Sequence, residues 1–178
     1  IPRTMAMGVL SGLDISTIKS LPPNRTPVVT TTLQNNRRDA LINRIKSAIS
    51  KNSQVYWVCP LIDESESELI GIEDLEKILK KEFDSQDYEI IHGKMKDMDK
   101  QKILSDFKEK KTKILLATTV IEVGIDVPDA NIMVIENSER FGLAQLHQLR
   151  GRVGRGEKES FCILMHSDSL TELSEKRL

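Results

Sequence analysis

The stretch Gln148-Leu149-Arg150-Gly151-Arg152-Val153-Gly154-Arg155 has the residue types and spacing for chemistry on a polyanion. A guanidinium fork meets phosphate oxygens with two parallel hydrogen bonds, and glycine between the arginines lets a ligand approach the backbone closely. If the run from Leu143 is helical, at about 100° per residue, Gln148, Arg152 and Arg155 share one face and Leu146, Leu149 and Val153 the opposite one. Arg150 falls near the apolar edge, and Gly151, Gly154 and Gly156 argue against a long helix, so the helix is expected to fray at the arginines. An Arg-x-x-Arg taken alone is more often a solvated helix end. The balance shifts because a second glycine-bearing segment, Thr118 to Pro128, closes on Gly124-Ile125-Asp126. The two segments are expected to form one phosphate site.

These residues need a scaffold, and the apolar pattern describes one. Strands are expected at Val28–Leu33, Gln54–Cys59, Tyr88–Ile91, Lys113–Ala117, Asn131–Glu136 and Phe161–Met165, where short apolar or β-branched runs end at turn residues. Between them, helices are expected over about 36–49, with Leu41, Ile45 and Ala48 on one stripe, and over 72–83, with Ile72, Leu75 and Leu79 inward. A third runs from Asp97, read as its cap, to about Lys110, with Ile103, Leu104 and Phe107 buried. Strands separated by helices predict an α/β fold with a parallel sheet covered on both faces. Ligands of such sheets collect at the carboxyl ends of the strands, which places the segments after Ile91 and Ala117 on one functional edge. Pro2 to Leu10 is read as a short helix, and Ser20 to Pro27, with three prolines, as a linker.

Composition excludes several classes. The 178 residues allow one ordinary domain, and 26 Lys plus Arg against 27 Asp plus Glu give no global basic excess, so any nucleic-acid contact must be local. Cys59 and Cys162 lie in apolar runs and are expected to be reduced, packed thiols. No apolar run approaches membrane-spanning length, and the N-terminus lacks the pattern of a signal peptide. The acidic run Asp63-Glu64-Ser65-Glu66 is a solvated loop before it is a metal site, and no metal site is assigned. A start at Ile1 without methionine suggests an excised fragment.

The arginine stretch resembles motif VI of superfamily 2 helicases, and Ala117-Thr118-Thr119-Val120-Ile121-Glu122-Val123-Gly124-Ile125-Asp126-Val127-Pro128 resembles their motif V. The run Arg140-Phe141-Gly142-Leu143-Ala144-Gln145-Leu146-His147 leading into motif VI is similar to two groups of that superfamily, the RecG branch-migration helicases and the Mfd transcription-repair coupling translocases. Tyr56-Trp57-Val58-Cys59-Pro60-Leu61-Ile62-Asp63-Glu64-Ser65-Glu66 and Leu21-Pro22-Pro23-Asn24-Arg25 favour RecG, and Ile1-Pro2-Arg3-Thr4-Met5 resembles the tail of motif III. The resemblance implies that residues 1–26 are the tail of a preceding lobe with its linker. Residues 27–178 are then the second RecA-like lobe, with a P-loop NTPase-like fold. No Gly-x-x-x-x-Gly-Lys-Ser/Thr loop and no Asp-Glu-x-His or Asp-Glu-x-Asp box occurs in the chain. The fragment alone is therefore expected to be inactive. The parent would be an ATP-dependent DNA helicase of recombination and repair, cytoplasmic and nucleoid-associated in a bacterium. It would use ATP with Mg2+ held mainly by the first lobe, and would act on branched DNA such as forks and Holliday junctions together with that lobe and a wedge domain.

Residue by residue, the resemblance makes Arg155 the arginine finger on the γ-phosphate, a role worth on the order of 10³–10⁵ in rate, with Arg152 its partner on the same phosphates. Gln148 would orient the attacking water or hydrogen-bond the γ-phosphate. Gly124 and Asp126 would lie beside the nucleotide, Asp126 near a ribose hydroxyl, although alone Asp126 reads as a residue before a turn. Thr118 and Thr119 suit backbone phosphates of DNA or a helix cap, and Lys94, with His92 and Gly93, would contact the DNA backbone. A strand-end histidine is also often a structural residue. Arg3 and Thr4 would link nucleotide state to DNA grip. Arg37 and Arg38 sit at a predicted helix start, where unpaired cations are disfavoured. Two other readings stand beside the RecG one: an Mfd-like translocase lobe, and a non-catalytic nucleic-acid-binding module of the same fold.

Overall fold

The computed structural model describes residues 27–60, 71–118, 127, 129–156, 158–168 and 170. Six strands, β1 (Val28–Gln34), β2 (Gln54–Val58), β3 (Tyr88–Ile91), β4 (Ile114–Ala117), β5 (Ala130–Ile135) and β6 (Ser160–His166), form one sheet in the order β1-β6-β5-β2-β4-β3. Every pairing is parallel. Four α-helices accompany them: α1 (Arg38–Ile49), α2 (Ile72–Glu82), α3 (Asp97–Lys108) and α4 (Leu143–Arg150). This is the α/β architecture that the alternation of apolar runs predicts.

A parallel sheet covered on both faces needs strands that are apolar throughout, and β2, β4 and β5 are buried at every residue. Successive residues then feed opposite cores. Val55, Trp57, Ile114, Leu116, Ile132, Val134 and Met165 pack with Leu41, Ile42 and Ile45 of α1 and Leu75 and Leu79 of α2. Tyr56, Val58, Leu115, Ala117, Met133, Ile135, Cys162 and Leu164 pack with Ile103 and Phe107 of α3 and Leu146 and Leu149 of α4. Each buried valine, leucine, isoleucine, phenylalanine or methionine among them stabilises the fold by roughly 1.5–3 kcal/mol relative to an exposed one.

The element boundaries differ from expectation in physical detail. The chain enters α1 through a 3-10 turn at Asn35–Arg37. Asp97 is the first residue of α3 rather than its cap, which is Lys96 without a side-chain cap bond, and Asp97 pairs instead with Lys100 at 3.4 Å. The helix expected at Pro2–Leu10, the proline linker and the acidic loop at Asp63–Glu66 lie outside the described residues. Both cysteines are buried and free, as their apolar surroundings predict.

One topological point places the site. β2 and β5 are neighbours, but α2, after β2, lies on one face and α4, after β5, on the other. Their carboxyl ends bracket the switch point at which ligands settle in open parallel sheets.

Candidate nucleotide and nucleic-acid interface

The arginine segment is built by α4. The Gly142 backbone N–H donates to Gln145 Oε1 at 3.1 Å, which starts the helix, and Leu146 and Leu149 fix its inward side. Gln148 and Arg150 are exposed. The helix stops at Arg150, where Gly151 N–H still donates to the His147 carbonyl at 3.0 Å and Arg152 N–H to that of Leu149 at 2.9 Å. Val153 is then fully buried and Gly154 takes φ +77°. Arg152 and Arg155 therefore do not share a helical face with Gln148. They flank an anchored, left-handed turn, with Arg152 half-buried and Arg155 exposed, and both have interaction partners within the chain.

The turn sits where the sheet begins rather than where it ends. A Cβ on Gly154 would lie 2.7 Å from Val28 Cγ2 and 3.6 Å from Ser160 Cβ, and those residues open β1 and β6. α4 carries the chain across the sheet and leaves Arg152–Arg155 at its amino edge, away from the carboxyl-end segments that begin after Ile91 and Ala117.

The carboxyl edge holds the second group. His92 follows β3 in a tight turn closed by Met95 N–H to the His92 carbonyl at 3.2 Å, and Lys100 Nζ braces it by donating to the Gly93 carbonyl at 3.2 Å. Gly93 and Lys94 are exposed at its tip and His92 is half-buried. Thr118, one strand over, donates its N–H to the Ile91 carbonyl at 3.3 Å, but its side chain is buried and Oγ1 has no partner. The described side chain therefore presents no hydroxyl at the surface. Thr119, Gly124 and Asp126 lie outside the described residues. The residues that flank this segment, Thr118 and Val127, stand at the end of β4 and just before β5, at opposite edges of the sheet.

Sequence reasoning missed the ion pair between these groups. Glu136, fully buried at the end of β5, accepts from Arg38 Nη2 at 2.8 Å and from Trp57 Nε1 at 2.8 Å, and pairs also with Arg38 Nη1. Arg38 is thus the satisfied member of the arginine pair that helix electrostatics disfavours, while Arg37 is exposed. Burial, and then the Glu136 charge, push the nearby Cys59 thiol up to about 12. An acid closing an apolar strand and an arginine at a helix start were the available signals, but 98 residues separate them. Among the described residues no group of His, Cys, Asp or Glu is arranged to hold a metal, and no helix is long and apolar enough to cross a membrane.

A six-stranded parallel sheet in this order, with helices on both faces, is the fold of a RecA-like helicase lobe. The helicase conserved C-terminal domain family matches residues 29–157, and the chain belongs to it. Among curated proteins it is similar to the ATP-dependent DNA helicase RecG of Pasteurella multocida, with 50% identity over 180 residues that cover all of this chain and 26% of that protein. The corresponding protein of Escherichia coli K12 is 48% identical, with the same coverage. The chain thus spans about a quarter of the length of these relatives. Among solved structures, RecG bound to a three-way DNA junction superposes with a TM-score of 0.80 at 41% identity, over 99% of this chain and 23% of that one. Saccharomyces cerevisiae Dbp5, bound to RNA and ADP BeF3, shares the fold alone, with a TM-score of 0.65 at 17% identity over 98% of this chain and 45% of that one.

Proposed function

We propose that the chain is the second motor lobe of a RecG-like ATP-dependent DNA helicase that remodels branched DNA, reversing forks and migrating Holliday junctions, in the bacterial cytoplasm at the nucleoid. Residues 27–178 form the lobe, and residues 1–26 belong to the tail of the first lobe and the linker. The observation that carries the reading is the anchored turn at Val153-Gly154, which holds two guanidinium groups at one sheet edge in a chain about half identical to RecG throughout. Bound ATP, with Mg2+, supplies the phosphoanhydride whose cleavage drives the motor. Arg155 and Arg152 bind its phosphates from this side, Gln148 orients water or the γ-phosphate, and Gly124 and Asp126 line the nucleotide. His92, Gly93 and Lys94 hold DNA phosphates at the other edge, and Thr119 joins them; Thr118, with its hydroxyl buried and its N–H donated to the Ile91 carbonyl, does not. The remaining partners are the first lobe and wedge domain of the same polypeptide.

Turnover by the parent helicase with no DNA, linear duplex or a model fork tests this. Fork stimulation that collapses by about 10³-fold or more in Arg155→Ala is expected. Equal turnover in both proteins removes Arg155 from catalysis, and dependence on a stalled polymerase favours the Mfd-like reading. The isolated chain should not hydrolyse ATP, since it has no phosphate-cradling Gly-x-x-x-x-Gly-Lys-Ser/Thr loop.

A further inference from the structure

The switch point of this sheet carries a buried ion pair. It lies between the carboxyl ends of β2 and β5, where a doubly wound domain ordinarily takes its ligand. Glu136 continues the inward row of Ile132 and Val134, and its carboxylate meets the Arg38 guanidinium, 11% exposed, together with the Trp57 indole N–H. Arg38 Nη2 also reaches Asn35 Oδ1 at 3.3 Å, so one side chain ties the 3-10 turn after β1 to the end of β5.

The path of the chain beyond Glu136 makes the tie consequential. Asn137, buried, takes φ +45°, and the chain turns through Ser138–Arg140 to Phe141 and α4 on the opposite face. Within that turn Glu139 Oε1 accepts from the Ser167 N–H at 3.4 Å, and Asn137 and Arg140 also have partners, but Glu136 accepts from two side chains of the elements that precede β5, α1 and β2. We propose that Arg38 and Glu136 are positioning residues: their pair fixes the point at which the chain leaves β5, and so the course of α4 and the placement of Arg152 and Arg155. The inference rests on the reading of those arginines as phosphate-binding groups.

The charge pair itself is not required for stability, because apolar residues of similar volume often replace a buried ion pair without loss; what stability does require of Glu136 is an acceptor for the Trp57 N–H. A two-toothed guanidinium–carboxylate contact does fix direction, which an apolar contact does not. Small misplacements of groups at a reacting centre cost up to about 10²-fold in rate.

The test compares the parent helicase with the Arg38→Met/Glu136→Leu double variant, with Arg155→Ala as reference, reading melting temperature and fork-stimulated kcat and KM. The expected result is a melting temperature lowered by about 2–12 °C, because the buried Trp57 N–H loses its acceptor at a cost of about 1–3 kcal/mol, with an unchanged KM for ATP and a kcat lower by about 10- to 100-fold. A stable double variant with parental kcat overturns the proposal. If the double variant does not fold, Glu136→Gln, which keeps the shape and one acceptor oxygen, is measured instead. A folded Glu136→Gln protein with parental kcat overturns the proposal equally, and one with lowered kcat at unchanged KM supports it. Full turnover in Arg155→Ala would refute the reading of the arginines, and this inference with it.

Discussion

Gly154→Ala probes the turn that holds the arginines. At φ +77° an L residue is strained by roughly 1–2 kcal/mol. The new Cβ would also stand 2.7 Å from Val28 Cγ2, and overpacking of that kind costs typically about 1–3 kcal/mol. Val28 is half-buried at the start of a strand and can give somewhat, so the lower half of the second range applies. The two contributions sum to about 2–4 kcal/mol, which lowers the melting temperature of a domain this size by about 4–16 °C. Unfolding can be followed by the fluorescence of Trp57, the one tryptophan, buried against Glu136. In a Val28→Ala background the clash is gone and only the backbone strain remains, so the same substitution should cost about 1–2 kcal/mol. An unchanged melting temperature would refute both parts of the reasoning. An equal loss in the two backgrounds would refute the close approach to Val28 and leave the left-handed backbone.

Two further outcomes concern the cores. Phe107→Ala removes a fully buried ring that meets Tyr56 at 5.1 Å between centroids. It should destabilise by about 3–5 kcal/mol, read as the urea midpoint; a loss below about 1 kcal/mol would mean that α3 is not seated as described. Burial raises the Cys59 and Cys162 thiols from 9.0 to about 12. Their burial therefore stabilises the fold fully below pH 9, where the unfolded thiols are still protonated, and that contribution is lost as pH climbs from 9 to about 12. A disulfide reagent at pH 8 should leave both thiols untouched until urea unfolds the chain; rapid reaction of the native protein would contradict their burial.

The layers were legible because a buried parallel sheet leaves a strong record. Runs such as Val55 to Val58 and Ile114 to Ala117 are too short for helices and too apolar for loops, and the 3.6-residue spacing of Leu75 and Leu79 gives α2 its inward side. The course of α4 was harder to read. A helical wheel drawn through Arg155 assumes helix to the end, whereas the backbone hydrogen bonds stop short and Gly154 reverses the hand of φ, which a one-letter pattern does not encode. The placement of the arginines at the amino edge depends on contacts with Val28 and Ser160, the first far away in sequence. Glu136 was hidden for a related reason. Its partners Arg38 and Trp57 come from other elements, and only the folded sheet order brings β5 beside β2.

The separation of the two charged edges has a mechanical consequence. Lys94 stands beyond one end of the strands and Arg155 beyond the other, and β6 alone, at seven residues, measures about 23 Å along its length. A sheet buttressed by two close-packed cores is stiff along its strands, so a pull on one end is delivered to the other with little internal give. Such a lobe is built as a strut: a displacement imposed at one end is expressed at the other as a tilt of the whole body.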